Sequence, residues 1–101
     1  MTLRFTLRQL EYLVAVADCG PVALAAQRVN VSSPSISAAI AQLEAAYGVQ
    51  LFIRRHAQGL SLTTGGRSFT DSAREVLAAA ARMTDRAGEI AGVVAGPMTV
   101  G

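Results

Sequence analysis

The sequence predicts a mainly α-helical chain, with three short helices, a small β-hairpin and one long final helix. Three observations predict it. Of 101 residues, 51% are hydrophobic, yet 19 are alanine and only 5% are aromatic, a composition that suits closely packed helices. Apolar residues recur at helical spacing in four stretches that are punctuated by Gly, Pro, Ser and Thr. Between the third and fourth stretches, residues 51–62 change to a short-strand pattern.

The first helix begins at Thr6. Thr6 and Gln9 have the spacing of a capping box, and Phe5 with Leu10 makes the accompanying hydrophobic staple. Leu7, Leu10, Leu13, Val14 and Ala17 then repeat at helical spacing. Gly20-Pro21 stops this helix and starts the next, with Pro21 in its first turn. The second helix buries Val22, Ala25, Ala26 and Val29, and Asn30 is suited to end it in the left-handed conformation. Its alanine pair lets it sit close against a neighbour.

The third helix runs from about Ser33 to Tyr47, capped by Ser32 or Ser33, with Pro34 in its first turn and Gly48 closing it. Ile36, Ile40, Leu43 and Tyr47 fall on one face. At about 100° per residue, the opposite face holds Pro34, Ala38, Ala41 and Ala45, flanked by Ser35, Ser37 and Gln42. A solvated face is normally charged. This one is small and uncharged, which suits close approach to another surface. Two helices joined by a three- or four-residue turn, the second opened by serines and a proline, have the shape of a helix-turn-helix. In that motif the second helix enters the major groove of DNA.

Leu51-Phe52-Ile53-Arg54-Arg55, His56-Ala57-Gln58-Gly59 and Leu60-Ser61-Leu62 read as a short hairpin with Gly59 in its turn. A basic hairpin after a recognition helix is a wing. Thr63 or Thr64 then caps the long helix. Phe69, Ala73, Val76, Ala80, Met83, Ala87, Ile90 and Val94 are spaced alternately four and three apart, an unbroken heptad pattern. A helix covering only its own domain need not keep that period so long, so this stripe is read as a homodimer interface. Gly92 and Gly96-Pro97 are read as the end of the helix, leaving Met98–Gly101 as an extended stub.

Charge follows the same division. All nine basic residues are arginine. Up to residue 70 six of them face three acids, for a net +3; from residue 71 three face four, for −1. The positive half is the half that carries the helix-turn-helix, as nucleic-acid binding requires.

The candidate DNA contacts follow. Ser32, Ser33, Ser35 and Ser37 can reach phosphates or base edges from the helix N-terminus, one of the first two serving as the cap. Pro34 and Ala38 are placed to touch thymine methyl groups. Arg54 and Arg55 suit the phosphate backbone or a minor groove, with His56 and Gln58 at the wing tip. Arg28, ending the second helix, either reaches a phosphate or pairs with an acid. No enzymatic chemistry is supported. Cys19 and His56 are the single Cys and His and sit on different elements, so they build neither a metal site nor a catalytic pair, and no cofactor is expected. Gly65-Gly66 lacks the Lys and Ser/Thr of a phosphate loop. No apolar run approaches the roughly 20 residues of a membrane span. Arg4, Arg8 and Glu11 interrupt any signal region, so a cytoplasmic protein is expected.

The ordered motifs Leu7-Arg8-Gln9-Leu10-Glu11-Tyr12-Leu13-Val14-Ala15-Val16-Ala17, Ala25-Ala26 through Ile40, Leu43-Glu44, Gly48-Val49-Gln50-Leu51-Phe52 and Leu62-Thr63-Thr64-Gly65-Gly66 resemble the N-terminal part of LysR-type transcriptional regulators. The resemblance implies a winged helix-turn-helix whose linker helices pair antiparallel, so that a dimer binds an interrupted palindrome in double-stranded DNA. It divides the chain into a DNA-binding domain at 1–62, a linker helix at 63–95, and a stub at 96–101 similar to the start of the family's effector-binding domain. That domain is not in these 101 residues, so the reading is of a DNA-binding fragment. A small-molecule inducer is expected only for that domain, and a tetramer is open to the full-length parent. The chain departs from the family pattern at Ser33, where Gln is usual, and at Ala38 and Ala39, where Arg and Gln are common. It departs again at Pro21, Ala23 and Gly65, where Ser, Ser or Thr, and Ala are common. Two other readings fit some of the features: a winged-helix regulator of the molybdate-responsive type, and a coiled-coil assembly module with an incidental basic hairpin.

Overall fold

A computed structural model describes residues 3–55 and 59–99, the last seven of them as backbone only. The order of elements is α1 (Leu7–Cys19), α2 (Val22–Val29), α3 (Ser33–Tyr47), β1 (Phe52–Arg55), β2 (Gly59–Leu62) and α4 (Thr64–Thr99). The predicted fold class is therefore the observed one.

Local chemistry sets most of the boundaries. Thr6 caps α1 reciprocally: its hydroxyl accepts from the Gln9 amide at 3.1 Å, and the Gln9 side chain accepts from the Thr6 amide at 2.9 Å. Asn30 ends α2 at φ 59° and Gly48 ends α3 at φ 65°, both left-handed. Pro21 stands one residue earlier than expected, as the N-cap of α2 with an extended ψ of 138°. Ser32 rather than Ser33 caps α3, its hydroxyl accepting from the Ser35 amide at 3.3 Å. Thr63 rather than Thr64 caps α4. Its hydroxyl accepts from the Gly66 amide at 2.7 Å and donates to the Gln50 carbonyl at 2.6 Å, tying the helix start to the segment that leads into β1.

The core forms where α1, α3 and the start of α4 converge, with Leu13, Val16, Ile36, Leu43 and Leu51 fully buried. Ala25 and Ala26 are buried too, and their small side chains bring α2 against α1. The hairpin is antiparallel, pairing Phe52 with Leu62 and Arg55 with Gly59. It docks on the α1–α2 turn through Gly59, where a Cβ would meet Pro21 backbone atoms at 3.0 Å and the backbone is left-handed at φ 77°. Among the described residues Thr70 has a buried hydroxyl without a hydrogen-bond partner.

Two expectations for the final helix need correction. The heptad stripe is split. Ala73 is buried in the chain's own core; Phe69 and Val76 pack against that core, with the Phe69 ring 5.5 Å from Tyr47. Past Ala80 the helix leaves the domain, and Met83 and Ile90 are 70% and 56% exposed. The first turns of α4 close the core that α1 and α3 leave open, so only the later half of the stripe remains uncovered. The side chain of Val94 lies outside the described residues.

The helix also continues through Gly92, Gly96 and Pro97 to Thr99, so Met98 and Thr99 are helical and not extended. Glycine weakens a helix by about 1 kcal/mol without forbidding it. Pro97 stands near the end, where it removes one amide partner beyond the four carbonyls that any helix terminus leaves unpaired.

Candidate nucleic-acid interface

The outer face of α3 is built by subtraction. Ile36, Ala39, Ile40 and Leu43 turn into the core, leaving Pro34, Ser35, Ser37, Ala38, Ala41, Gln42 and Ala45 exposed. The acid on α3, Glu44, is engaged within the fold, where its carboxylate accepts from the Leu51 amide at 2.8 Å. Ser32 and Ser35 are joined at 2.8 Å between hydroxyls, and Ser33 is half-buried as the first helical residue. Ser37 makes no hydrogen bond through its hydroxyl among the described residues and faces the groove beside the wing. Gln42 is steadied from α1, its side-chain oxygen accepting from Gln9 at 2.9 Å.

The wing arginines separate. Side chains alternate across a strand, and Arg54 turns into a groove with Ser37 and Ala41 of α3 and Val22 of α2. Arg55 turns to another groove, shared with Ser61 of β2 and Arg67 in the first turn of α4. Both are exposed, and neither they nor Arg67 form an ion pair among the described residues. His56 and Gln58, the predicted wing tip, lie outside the described residues.

Arg28 takes the acid partner of its two predicted options. Its guanidinium lies 3.3 Å from Asp18, which Arg74 also grips at 2.7 Å. The hydrogen bond from Arg74, reinforced by the charges of Arg74 and Arg28, holds the Asp18 carboxyl below its usual range, against a smaller opposing effect of burial. The same hydrogen bond raises the Arg74 guanidinium. Asp18 thus joins the ends of α1 and α2 to α4. This node, the Gln9–Gln42 link and Arg67 were not singled out from sequence. The first two join residues distant along the chain, Arg67 shares a groove with Arg55 only in the fold, and no local pattern marks any of them.

A family model described as the bacterial regulatory helix-turn-helix protein, lysR family, matches residues 7–67. The chain belongs to the LysR family. Among curated relatives, the HTH-type transcriptional regulator TcbR of a Pseudomonas species is 46% identical over 79 residues, which is 78% of this chain and 26% of that protein. The HTH-type transcriptional regulator XapR of Escherichia coli is 36% identical over 98 residues, 97% of this chain and 33% of that protein. This LysR-family chain thus spans about a quarter to a third of the length of the curated relatives it matches. Among solved structures, the CbnR_DBD–DNA complex is similar with a TM-score of 0.79 at 41% identity, covering 86% of this chain and 99% of that one. The BenM_DBD/benA site 1 DNA complex is similar with a TM-score of 0.80 at 30% identity, covering 86% of this chain and 97% of that one. The LysR-type DNA-binding domain is therefore the fold of this chain, which decides against the molybdate-responsive and coiled-coil alternatives.

Proposed function

We propose that this chain binds double-stranded DNA sequence-specifically as part of a transcriptional regulator, with α3 in the major groove and the wing on the backbone or minor groove. The observation that carries the reading is that the small, uncharged Ser37 and Ala41 of α3 share one groove with Arg54, while Glu44, which also lines it, has its carboxylate engaged by the Leu51 amide. Small side chains let the helix approach base edges, while the arginine supplies the phosphate contact that fixes its register. Similarity to domains solved on DNA supports the same reading.

In this reading residues 1–62 are the DNA-binding module, 63–95 the linker helix and 96–101 the approach to an effector-binding domain. The exposed Met83 and Ile90 support pairing of the linker helix with a second copy. A dimer would hold two modules at the spacing of an interrupted palindrome. The regulator would act in the cytoplasm, where the DNA is. Any inducer would bind the part of the regulator that these residues do not span.

The test is fluorescence anisotropy on a duplex recovered from a random pool, with random duplex as competitor, at two salt concentrations. The wild-type chain should prefer the recovered duplex, and Ala38→Glu should abolish binding by repulsion from the phosphates while its circular dichroism stays unchanged. Equal affinity for both duplexes at every salt concentration would overturn sequence-specific binding.

A further inference from the structure

Resting on the dimeric DNA-binding reading above, we infer that Arg74 is a positioning residue: its ion pair with Asp18 fixes the direction in which α4 leaves the domain, and so sets the half-site spacing that a dimer accepts.

The pair stands where the helix parts from the module. Asp18 lies in the last turn of α1 and Arg28 in the last turn of α2, while Arg74 follows Ala73, which is buried in the core. Val76 and Leu77 still pack against that core, and beyond them Met83 and Ile90 are exposed. Phe69, Ala73 and Val76 hold α4 along one stripe. A helix seated on one apolar stripe can still roll and pivot, because such contacts are non-directional. The Arg74 guanidinium, 2.7 Å from the Asp18 carboxylate, supplies a directed contact from the flank of that stripe. Among the described residues no other side-chain hydrogen bond or ion pair joins α4 to α1, α2 or α3.

Local preference runs against Asp18 where it stands. An acid in the last turn of a helix meets the partial negative charge of the helix terminus, and α1 has no basic residue there. Its partners come from α2 and α4 instead. Arg74 is the nearer, and its hydrogen bond is the main cause that holds the Asp18 carboxyl below its usual range. Arg28, at 3.3 Å, balances the same carboxylate without touching α4.

A small rotation at this joint is enough to change the spacing. The middle of the exposed part of the stripe, near Ala87, lies about 20 Å along the helix from Arg74. A pivot of about 10° at Arg74 moves that point by about 3.4 Å, the rise of one base pair. The strength of the pair sets the size of the effect. A dimer can meet a wrongly spaced site by breaking the pair, so each pair adds no more discrimination than its own worth. The side chains of Arg74 and Asp18 are 46% and 35% exposed, and an exposed pair shifts an equilibrium by at most about fivefold.

The experiment uses an interrupted palindrome recovered by selection, the same palindrome with its gap changed by one or two base pairs, and a single half-site. Anisotropy is read for wild type, Arg74→Ala, Arg74→Lys and Arg28→Ala. Both arginines are largely exposed, so the variants should keep their circular dichroism. Wild type should prefer one gap length. Arg74→Ala should bind the half-site as wild type does and lose about threefold of the preference for that gap, within the range open to an exposed pair. Arg74→Lys keeps a cation near Asp18 and should keep most of the preference. Arg28→Ala leaves the tie to α4 in place and should keep the profile of wild type, whatever its overall affinity.

A profile in Arg74→Ala as sharp as that of wild type would overturn this role and leave DNA binding and pairing standing. Equal flattening in Arg28→Ala would also overturn it, by tracing the effect to the charge of Asp18 and not to α4. A matching loss on the half-site would overturn it by making Arg74 a DNA contact. Wild type that binds the half-site yet accepts every gap alike would overturn pairing, and this role with it. If wild type binds no duplex, the DNA-binding reading and this role fail together.

Discussion

Gly66→Ala tests how the wing is fastened to the long helix. A Cβ at Gly66 would overlap the Leu51 carbonyl oxygen and stand 2.8 Å from its carbon and 3.0 Å from the Leu51 Cα. These are backbone atoms, so no side-chain rotation relieves the overlap. Leu51 is 1% exposed, and its carbonyl accepts from the Thr63 amide at 3.0 Å. Moving it would loosen that hydrogen bond, worth about 1 kcal/mol, and disturb a filled core, where overpacking costs about 1–3 kcal/mol. Alanine recovers at most about 1 kcal/mol through helix propensity. The net expectation is a loss of about 2 kcal/mol, or roughly 10 °C in Tm for a domain of this size.

Gly65→Ala is the control. Its Cβ would meet Val49 Cγ1 at 3.5 Å, an ordinary contact, so that variant should be neutral or slightly stabilised. Urea melts followed by circular dichroism measure both. If Gly66→Ala is as stable as Gly65→Ala, the argument from close approach is wrong.

Other perturbations probe separate parts of the fold. Met83→Asp places an unpaired charge on the uncovered half of the α4 stripe and should leave a monomer with weaker DNA affinity by sedimentation and anisotropy; wild type already monomeric at tens of micromolar would refute pairing through this helix. Thr70→Val removes a buried hydroxyl without a partner and should raise stability by about 1 kcal/mol in urea melts, whereas a loss would mean that the hydroxyl is satisfied in solution. Because Asp18 titrates below its ordinary value of 3.8 in the folded chain, its contribution is present above that value and is lost as pH falls below it. Asp18→Asn should therefore be less stable than wild type at neutral pH and converge with it in acid; a gap independent of pH would show that the two ion pairs do not contribute.

The limits of α1, α2 and α3 were legible because they are local. A threonine three residues before a glutamine, an asparagine after a short apolar stretch, and a glycine after Tyr47 satisfy or terminate backbone groups within one turn. The outward face of α3 was legible for a related reason, since helical period alone puts Pro34, Ala38, Ala41 and Ala45 opposite Ile36 and Leu43.

Period says that a face is apolar and not what covers it. The heptad stripe of α4 is regular from Phe69 onward, yet only the fold assigns Ala73 to the chain's own core and leaves Met83 bare. Charge behaves likewise: Arg28, Arg54, Arg55 and Arg67 are alike as letters. Long-range contacts decide that Arg28 answers Asp18, that Arg54 sits beside α3, and that Arg55 and Arg67 line one groove. Backbone hydrogen bonding is satisfied within a few residues and can be read along the chain, whereas the partner of a side chain is whatever the folded chain brings within reach of it.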